Sequence, residues 1–140
     1  MKVKNTKVIF DTNVWIGFLI GKRLSGIKQY LADGRIQIIV TDQLLTEIKD
    51  VTSREKLKKY FPQESIDELI ELLNIIAIKI EIKPTHYLCR DPKDNFLLDL
   101  IDFSKADFLV TGDKDLLEQN PFKKALIVSP FDFERVIQNW

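Results

Sequence analysis

The sequence predicts an α/β protein, with helices layered around a mostly parallel sheet. Short runs rich in Ile, Val and Phe alternate with stretches of helical spacing along the chain, the pattern of strand–helix units. Two of those runs, Val8-Ile9-Phe10 and Phe108-Leu109-Val110, are followed at once or within three residues by an aspartate. The 140 residues, 45% of them apolar, suit one domain spanning residues 1–140 around a single core.

Taken in order, Lys7 to Phe10 reads as a buried strand. Val14 to Leu31 follows as a helix, stopped by the turn pair Asp33-Gly34. Ile36 to Val40 is a second strand. A short helix from Asp42 to about Val51 takes Thr41 or Asp42 as its cap. Arg54 to Tyr60 is a basic helical turn, broken by Pro62. Ser65 and Glu68 have capping-box spacing for the next helix, whose Ile66, Leu69, Ile70, Leu73 and Ile76 recur at helical intervals. Lys79 to Ile82 is expected as a third strand. Asp91-Pro92 opens a helix from about Lys93 to Ser104, since proline suits the first turn. Phe108 to Val110 and Ala125 to Val128 supply the fourth and fifth strands. Phe131 to Trp140 closes the chain as a helix capped near Ser129 or Asp132. No repeat, low-complexity stretch or linker interrupts this order.

Composition removes several function classes. With 21 basic and 21 acidic residues the formal net charge is zero, so a strongly basic nucleic-acid glove is not signalled. The single cysteine, Cys89, cannot form an internal disulfide, which fits a reducing cytoplasm. His86 is the lone histidine, so a Cys/His zinc site cannot be built. Neither residue has a partner for nucleophilic catalysis, and no Walker or Rossmann glycine motif is present. The first residues run into a strand without a secretory apolar region. Val14 to Ile20 is too short to span a bilayer. The expectation is a soluble intracellular, cytoplasmic protein that makes no membrane contact.

The acids carry the chemistry. Asp11 ends the first strand, where it could equally cap the following helix. Glu47 interrupts the apolar stripe of Leu44, Ile48 and Val51, as a surface Glu beside that stripe would. Asp94 starts the inward face of Leu97, Leu98 and Ile101, although a first-turn acid also suits the helix dipole. Asp91 reads as an N-cap, while Asn95, Asp99 and Asp102 form another stripe expected to be solvated. Asp113 follows Thr111-Gly112 after the fourth strand, and again could be a cap for the short helix Lys114 to Glu118. Asp115 lies two residues on. Thr111 offers a hydroxyl at the strand end, and Gly112 lets the backbone bend close by. Each structural role is reasonable alone. Together, four segments bring acids to strand ends or inward faces, which is costly unless a cation joins them. Oxygen donors of this kind suit Mg²⁺ or Mn²⁺.

With those motifs in view, the chain resembles a PIN domain, of the kind found in VapC-like ribonuclease toxins of type II toxin–antitoxin modules. The resemblance rests on Asp11-Thr12-Asn13, on Glu47 within Leu45-Thr46-Glu47-Ile48, on Asp91-Pro92-Lys93-Asp94-Asn95, and on Thr111-Gly112-Asp113-Lys114-Asp115-Leu116. It implies a three-layer sandwich whose five-stranded, mostly parallel sheet is flanked by helices. It also implies a divalent-metal-dependent endoribonuclease with one or two Mg²⁺ or Mn²⁺ ions, an RNA substrate, a cognate antitoxin and a homodimer. By position, Asp11, Glu47, Asp94 and Asp113 become the catalytic and metal-binding quartet. Asn13 and Thr111 become supporting polar groups, and Asp115 a fifth acid. Attack by a metal-activated water, assisted by Glu47 or Asp94, would leave a 5′-phosphate and a 3′-hydroxyl. Lys22, Arg23, Lys28 and the Arg54–Lys59 cluster are candidates for the RNA backbone, and the apolar 66–78 helix for a dimer face. Phe96-Leu97-Leu98 departs from the small, Ala-rich run common in these toxins. The rival reading is a non-catalytic PIN-like module that binds RNA or protein. A HAD-type phosphatase would need an acid where Asn13 stands, and a receiver domain would need an Asp and a Lys where Lys83-Pro84 and Ser129-Pro130 stand.

Overall fold

The structure is a computed structural model, and it describes residues 5–21 and 34–138. Its strands are β1 (Thr6–Phe10), β2 (Ile36–Val40), β3 (Ile78–Lys79), β4 (Phe108–Val110) and β5 (Leu126–Val128). The described helices are α1 (Thr12–Gly21), α2 (Asp42–Thr52), α3 (Gln63–Ile76), α4 (Asn95–Ser104), α5 (Lys114–Leu117) and α6 (Pro130–Gln138). Single 3₁₀ turns occupy Lys58–Tyr60 and Pro92–Asp94. The expected continuation of the first helix to Leu31, the cations Lys22, Arg23 and Lys28, and the last two residues lie outside the described residues.

The strands pair in the order β3-β2-β1-β4-β5, and every pairing is parallel. Val8 stands opposite both Ile38 and Phe108, and Phe10 opposite Val110. Val8, Ile9 and Phe10 are fully buried, as the continuous apolar run of a central parallel strand requires. The Phe10 ring meets Trp15 at 5.2 Å and Phe18 at 5.4 Å in α1, and Phe133 at 5.6 Å in α6, each edge to face. Burial of such a side chain is worth roughly 1.5–3 kcal/mol, so β1 is anchored at its C-terminal end, where the first acid follows.

Three expectations need correction. The third strand is only Ile78–Lys79, followed by one further bond from the Ile80 amide to the Val40 carbonyl. Exposed Glu81 and the charged Lys83-Pro84 step end an edge strand at that point. Ser65 and Glu68 do not form a capping box, because α3 begins earlier, at Gln63, with Pro62 in the cap position at φ −53°. The Pro62 carbonyl accepts the first bonds from the Ser65 and Ile66 amides. The stripe Asn95, Asp99, Asp102 is not a purely solvated face: Asp99 is buried, and Asn95 and Asp102 are half-buried. Asp99 is 3% exposed, and its Oδ1 accepts from the Thr85 and His86 amides at 3.1 and 2.8 Å. Asn95 Oδ1 accepts from the Cys89 amide, and Asp102 pairs with His86 Nε2 at 2.9 Å. These three polar groups bind the irregular segment 85–89 onto α4 and replace the water its backbone would otherwise need.

Chain order sets the position of the crevice. From β1 the chain moves through β2 to β3 on one side, then returns to place β4 on the other side of β1. Strand order therefore reverses between β1 and β4, and the cleft lies beyond their carboxyl ends. Asp11 follows β1 and Thr111-Gly112-Asp113 follows β4 at that cleft. Among the described residues, no helix is long and apolar enough to cross a membrane.

Candidate functional site

Asp11 is 7% exposed, and both its oxygens are engaged. Thr111 Oγ1 donates to Oδ2 at 2.8 Å across the β1–β4 junction, and the Thr12 amide donates to Oδ1 at 2.6 Å. Thr111 is itself fully buried. Its hydroxyl also accepts from the Asp113 amide at 3.1 Å, so one side chain links the two strand-end acids. Asp113 caps α5: its Oδ1 accepts from the Asp115 and Leu116 amides at 2.8 and 3.3 Å. The capping role and a role in the cleft are thus compatible, because its second oxygen has no partner among the described residues.

Glu47 is half-buried on α2, beside the fully buried Leu44 and Ile48. Its Oε2 accepts from Thr12 Oγ1 at 2.7 Å. Asp94 occupies the residue before α4 but makes no capping bond there. Asp91 caps the preceding 3₁₀ turn Pro92–Asp94, with Oδ1 accepting from the Lys93 amide. The carboxyl of Asp94 has no hydrogen-bond partner among the described residues. Burial, then Asp113, Asp11, Asp91 and Glu47, push it up to about 6. Burial raises Asp11 as well, with further upward pressure from Glu47 and Asp113; the bonds from Thr111 and Thr12 pull the other way. Asp11, Glu47, Asp94 and Asp113 therefore share one electrostatic neighbourhood. Among the described residues, no lysine or arginine forms an ion pair with any of them.

The donor set is all hard oxygen, the chemistry preferred by Mg²⁺ or Mn²⁺. As the side chains stand, no three His, Cys, Asp or Glu groups among the described residues are close enough to hold one ion together. By ligand chemistry the residues fit a divalent cation; in spacing they would have to draw inward around it.

A family model described as PIN domain matches residues 7–115. The chain belongs to the PIN-domain family. Solved structures share its architecture. PAE2754 from Pyrobaculum aerophilum superposes with a TM-score of 0.65 at 12% identity, over 100% of each chain. VapBC2 from Rickettsia felis, bound to a DNA fragment from its promoter, gives a TM-score of 0.58 at 15% identity, over 89% of this chain and 98% of that one. At such identities the likeness is one of fold. No curated protein matches the sequence.

Within this PIN domain, two polar residues changed places relative to the sequence reading. Asn13 is exposed, and among the described residues nothing bonds its side chain. The neighbouring Thr12, which the sequence reading passed over, is buried and holds Glu47. A helix starting directly after Asp11 would have pointed to it, since position 12 then turns inward and position 13 outward. Asp115 is neutralised by Arg90, whose Nη1 lies 3.2 Å from Oδ1, while Arg90 Nη2 reaches Glu118 at 3.3 Å. Cys89 is buried, and burial with Asp94, Asp113, Asp115 and Asp91 pushes its thiol up to about 11. It stays protonated at neutral pH and is a poor nucleophile.

Proposed function

We propose that this PIN domain is a Mg²⁺- or Mn²⁺-dependent endoribonuclease whose metal-binding and catalytic acids are Asp11, Glu47, Asp94 and Asp113. The observation that supports it best is the electrostatic coupling of these acids from four segments, with no basic side chain paired to them among the described residues. An ion bound there would neutralise the cluster, grip a phosphate oxygen and make a water acidic enough to attack. The chain supplies the rest. Thr111 fixes Asp11, Thr12 fixes Glu47, and the cap geometry of α5 fixes one oxygen of Asp113. Asp94, whose carboxyl makes no hydrogen bond among the described residues, is available to the ion or, like Glu47, to assist the attacking water as base. Asp115, tied to Arg90, is a supporting acid rather than a member of the quartet. Asn13 has a different use, argued below.

A toxin role with a cognate antitoxin, a homodimeric state and a reducing cytoplasmic setting complete the proposal. The fold likeness to VapBC2 and the exposed Ile75 and Ile76 at the end of α3 support the first two. The Arg54–Lys59 cluster is solvent-exposed, with Lys59 lying 5.1 Å from the Tyr60 ring centroid. The open spacing of the acids favours the rival, a non-catalytic module that binds RNA or protein.

Cleavage of single-stranded and structured RNAs with Mg²⁺ or Mn²⁺ decides between them. Wild type should cut to 5′-phosphate and 3′-hydroxyl ends, and Asp11→Asn should lower the rate by at least about 100-fold, as loss of a metal-site or electrostatic group does. Equal cleavage by Asp11→Asn defeats the proposal.

A further inference from the structure

We infer that the slot between α1 and the β4–α5 turn is a nucleobase subsite, which rests on the nuclease reading and specifies its substrate contact. The slot has a volume of about 210 Å³ and is lined by Asn13, Val14, Gly17, Phe18, Gly112 and Pro130. It is smaller than a drug-sized pocket, with room for a single planar ring system. Its position follows from the acids: Asn13 lies two residues beyond Asp11, and Gly112 separates Thr111 from Asp113. A strand whose phosphate reaches the carboxylates carries an adjoining base to this opening.

The walls match the chemistry of a base, which has flat apolar faces and a polar edge. Asn13 and Gly17 lie one helical turn apart, as do Val14 and Phe18, so two neighbouring rows of α1 form one side. The Phe18 ring is held edge to face by Phe10 at 5.4 Å and by Trp15 at 5.8 Å, giving a rigid aromatic surface for a stacked base. Asn13 is exposed and, among the described residues, unbonded. Its carboxamide presents a donor beside an acceptor, the pair that reads the N6/N7 edge of adenine.

The glycines are the sharper observation. Among the described residues, a Cβ at Gly17 or Gly112 would meet nothing within 4 Å, and neither has the positive φ seen at Gly34. Backbone conformation therefore does not demand glycine at 17, and glycine weakens a helix interior. What its missing side chain provides is open space in the slot.

The test uses the full chain with Ca²⁺ and a labelled single-stranded hexaribonucleotide, read by fluorescence anisotropy. Gly17→Leu fills the slot and should weaken binding by about tenfold or more, the scale of a lost stacked base. Its melting temperature should hold or rise. Gly17→Ala should fall between wild type and Gly17→Leu. An abasic nucleotide walked along the RNA should cost wild type a similar factor at one position and cost Gly17→Leu little; this arm does not depend on a variant folding. In cleavage, wild type should prefer one base beside the cut, and Gly17→Leu should flatten that preference by raising KM while kcat stays within about twofold. Equal affinities of folded wild type and Gly17→Leu, or no sensitive position in the abasic walk, overturn the subsite. A wild type that binds as expected but cleaves nothing overturns the nuclease reading and leaves the subsite standing.

Discussion

Asp94 carries a testable sign. Its carboxyl is held near 6 by burial and neighbouring acids, against 3.8 without those surroundings. A folded state with the higher value binds the proton more tightly than the unfolded chain. The stabilisation from that proton is full below about 3.8 and is lost as the pH rises through about 6. Asp11, also raised, has the same sign. Asp102 is lowered, chiefly by its bond to His86; its contribution is lost only as the pH falls through the acid range below. In EDTA, the melting temperature of wild type should therefore climb as the pH is lowered from 7.5 to 5.5. Asp94→Asn should melt higher than wild type at pH 7.5 and show a shallower climb. A thermal-shift series reads both, and identical slopes for the two proteins would remove the conflict assigned to Asp94. At this scale the sequence shows where the acids stand and less of what holds them. Strand-end and inward-face positions draw attention to Asp11, Glu47, Asp94 and Asp113, and the family resemblance joins them into the proposed quartet. Thr12 and Asn13 lie in the turn before the expected helix start at Val14, and the observed start two residues earlier, at Thr12, is what settles which of them faces inward.

At the scale of elements, α4 shows how a polar face can be structural without being wet. Spacing separates Leu97, Leu98 and Ile101 from Asn95, Asp99 and Asp102, and the apolar set is buried as that spacing implies. The polar set faces a segment with no helical or strand pattern, 85–89, so nothing in the sequence announces its partner. The Asp99 carboxylate accepts two backbone amides from that segment. Asp99→Ala leaves both donors of this part-buried segment without their acceptor and should cost about 3 kcal/mol, since bonds to a charged group are worth roughly 1.5–3 kcal/mol each. For a chain of this size that is on the order of 10 °C in melting temperature. Asp99→Asn keeps an acceptor oxygen and should lose about 1 kcal/mol. Equal losses for the two variants, measured by urea unfolding, would show that the amides do not depend on this carboxylate. The missed capping box belongs to the same scale. Ser65 and Glu68 have the right spacing, but Pro62 exposes a carbonyl that starts α3 before Ser65 is reached.

For the whole molecule, topology gathers the acids more strongly than any local motif. Parallel order β3-β2-β1-β4-β5 puts the ends of β1 and β4 side by side, and the Thr111–Asp11 bond spans 100 residues of sequence. With zero formal net charge, the protein as a whole exerts little attraction on cations, so any ion affinity must come from the local field of the cleft. This separates binding from screening. A site-bound ion stabilises by mass action, about 2.7 kcal/mol at 100 times its Kd. Screening acts on all surface charges and depends on ionic strength alone. At pH 7.5, Mg²⁺ or Mn²⁺ should raise the melting temperature of wild type well beyond NaCl of matched ionic strength. Asp11→Asn and Asp94→Asn, relieved of one repelling charge, should start higher and respond much less to the divalent ion. That crossed pattern is what a repulsive cluster awaiting a cation produces. If NaCl reproduces the Mg²⁺ and Mn²⁺ effects in wild type, or both variants retain the full divalent shift, the four acids do not form one ion site.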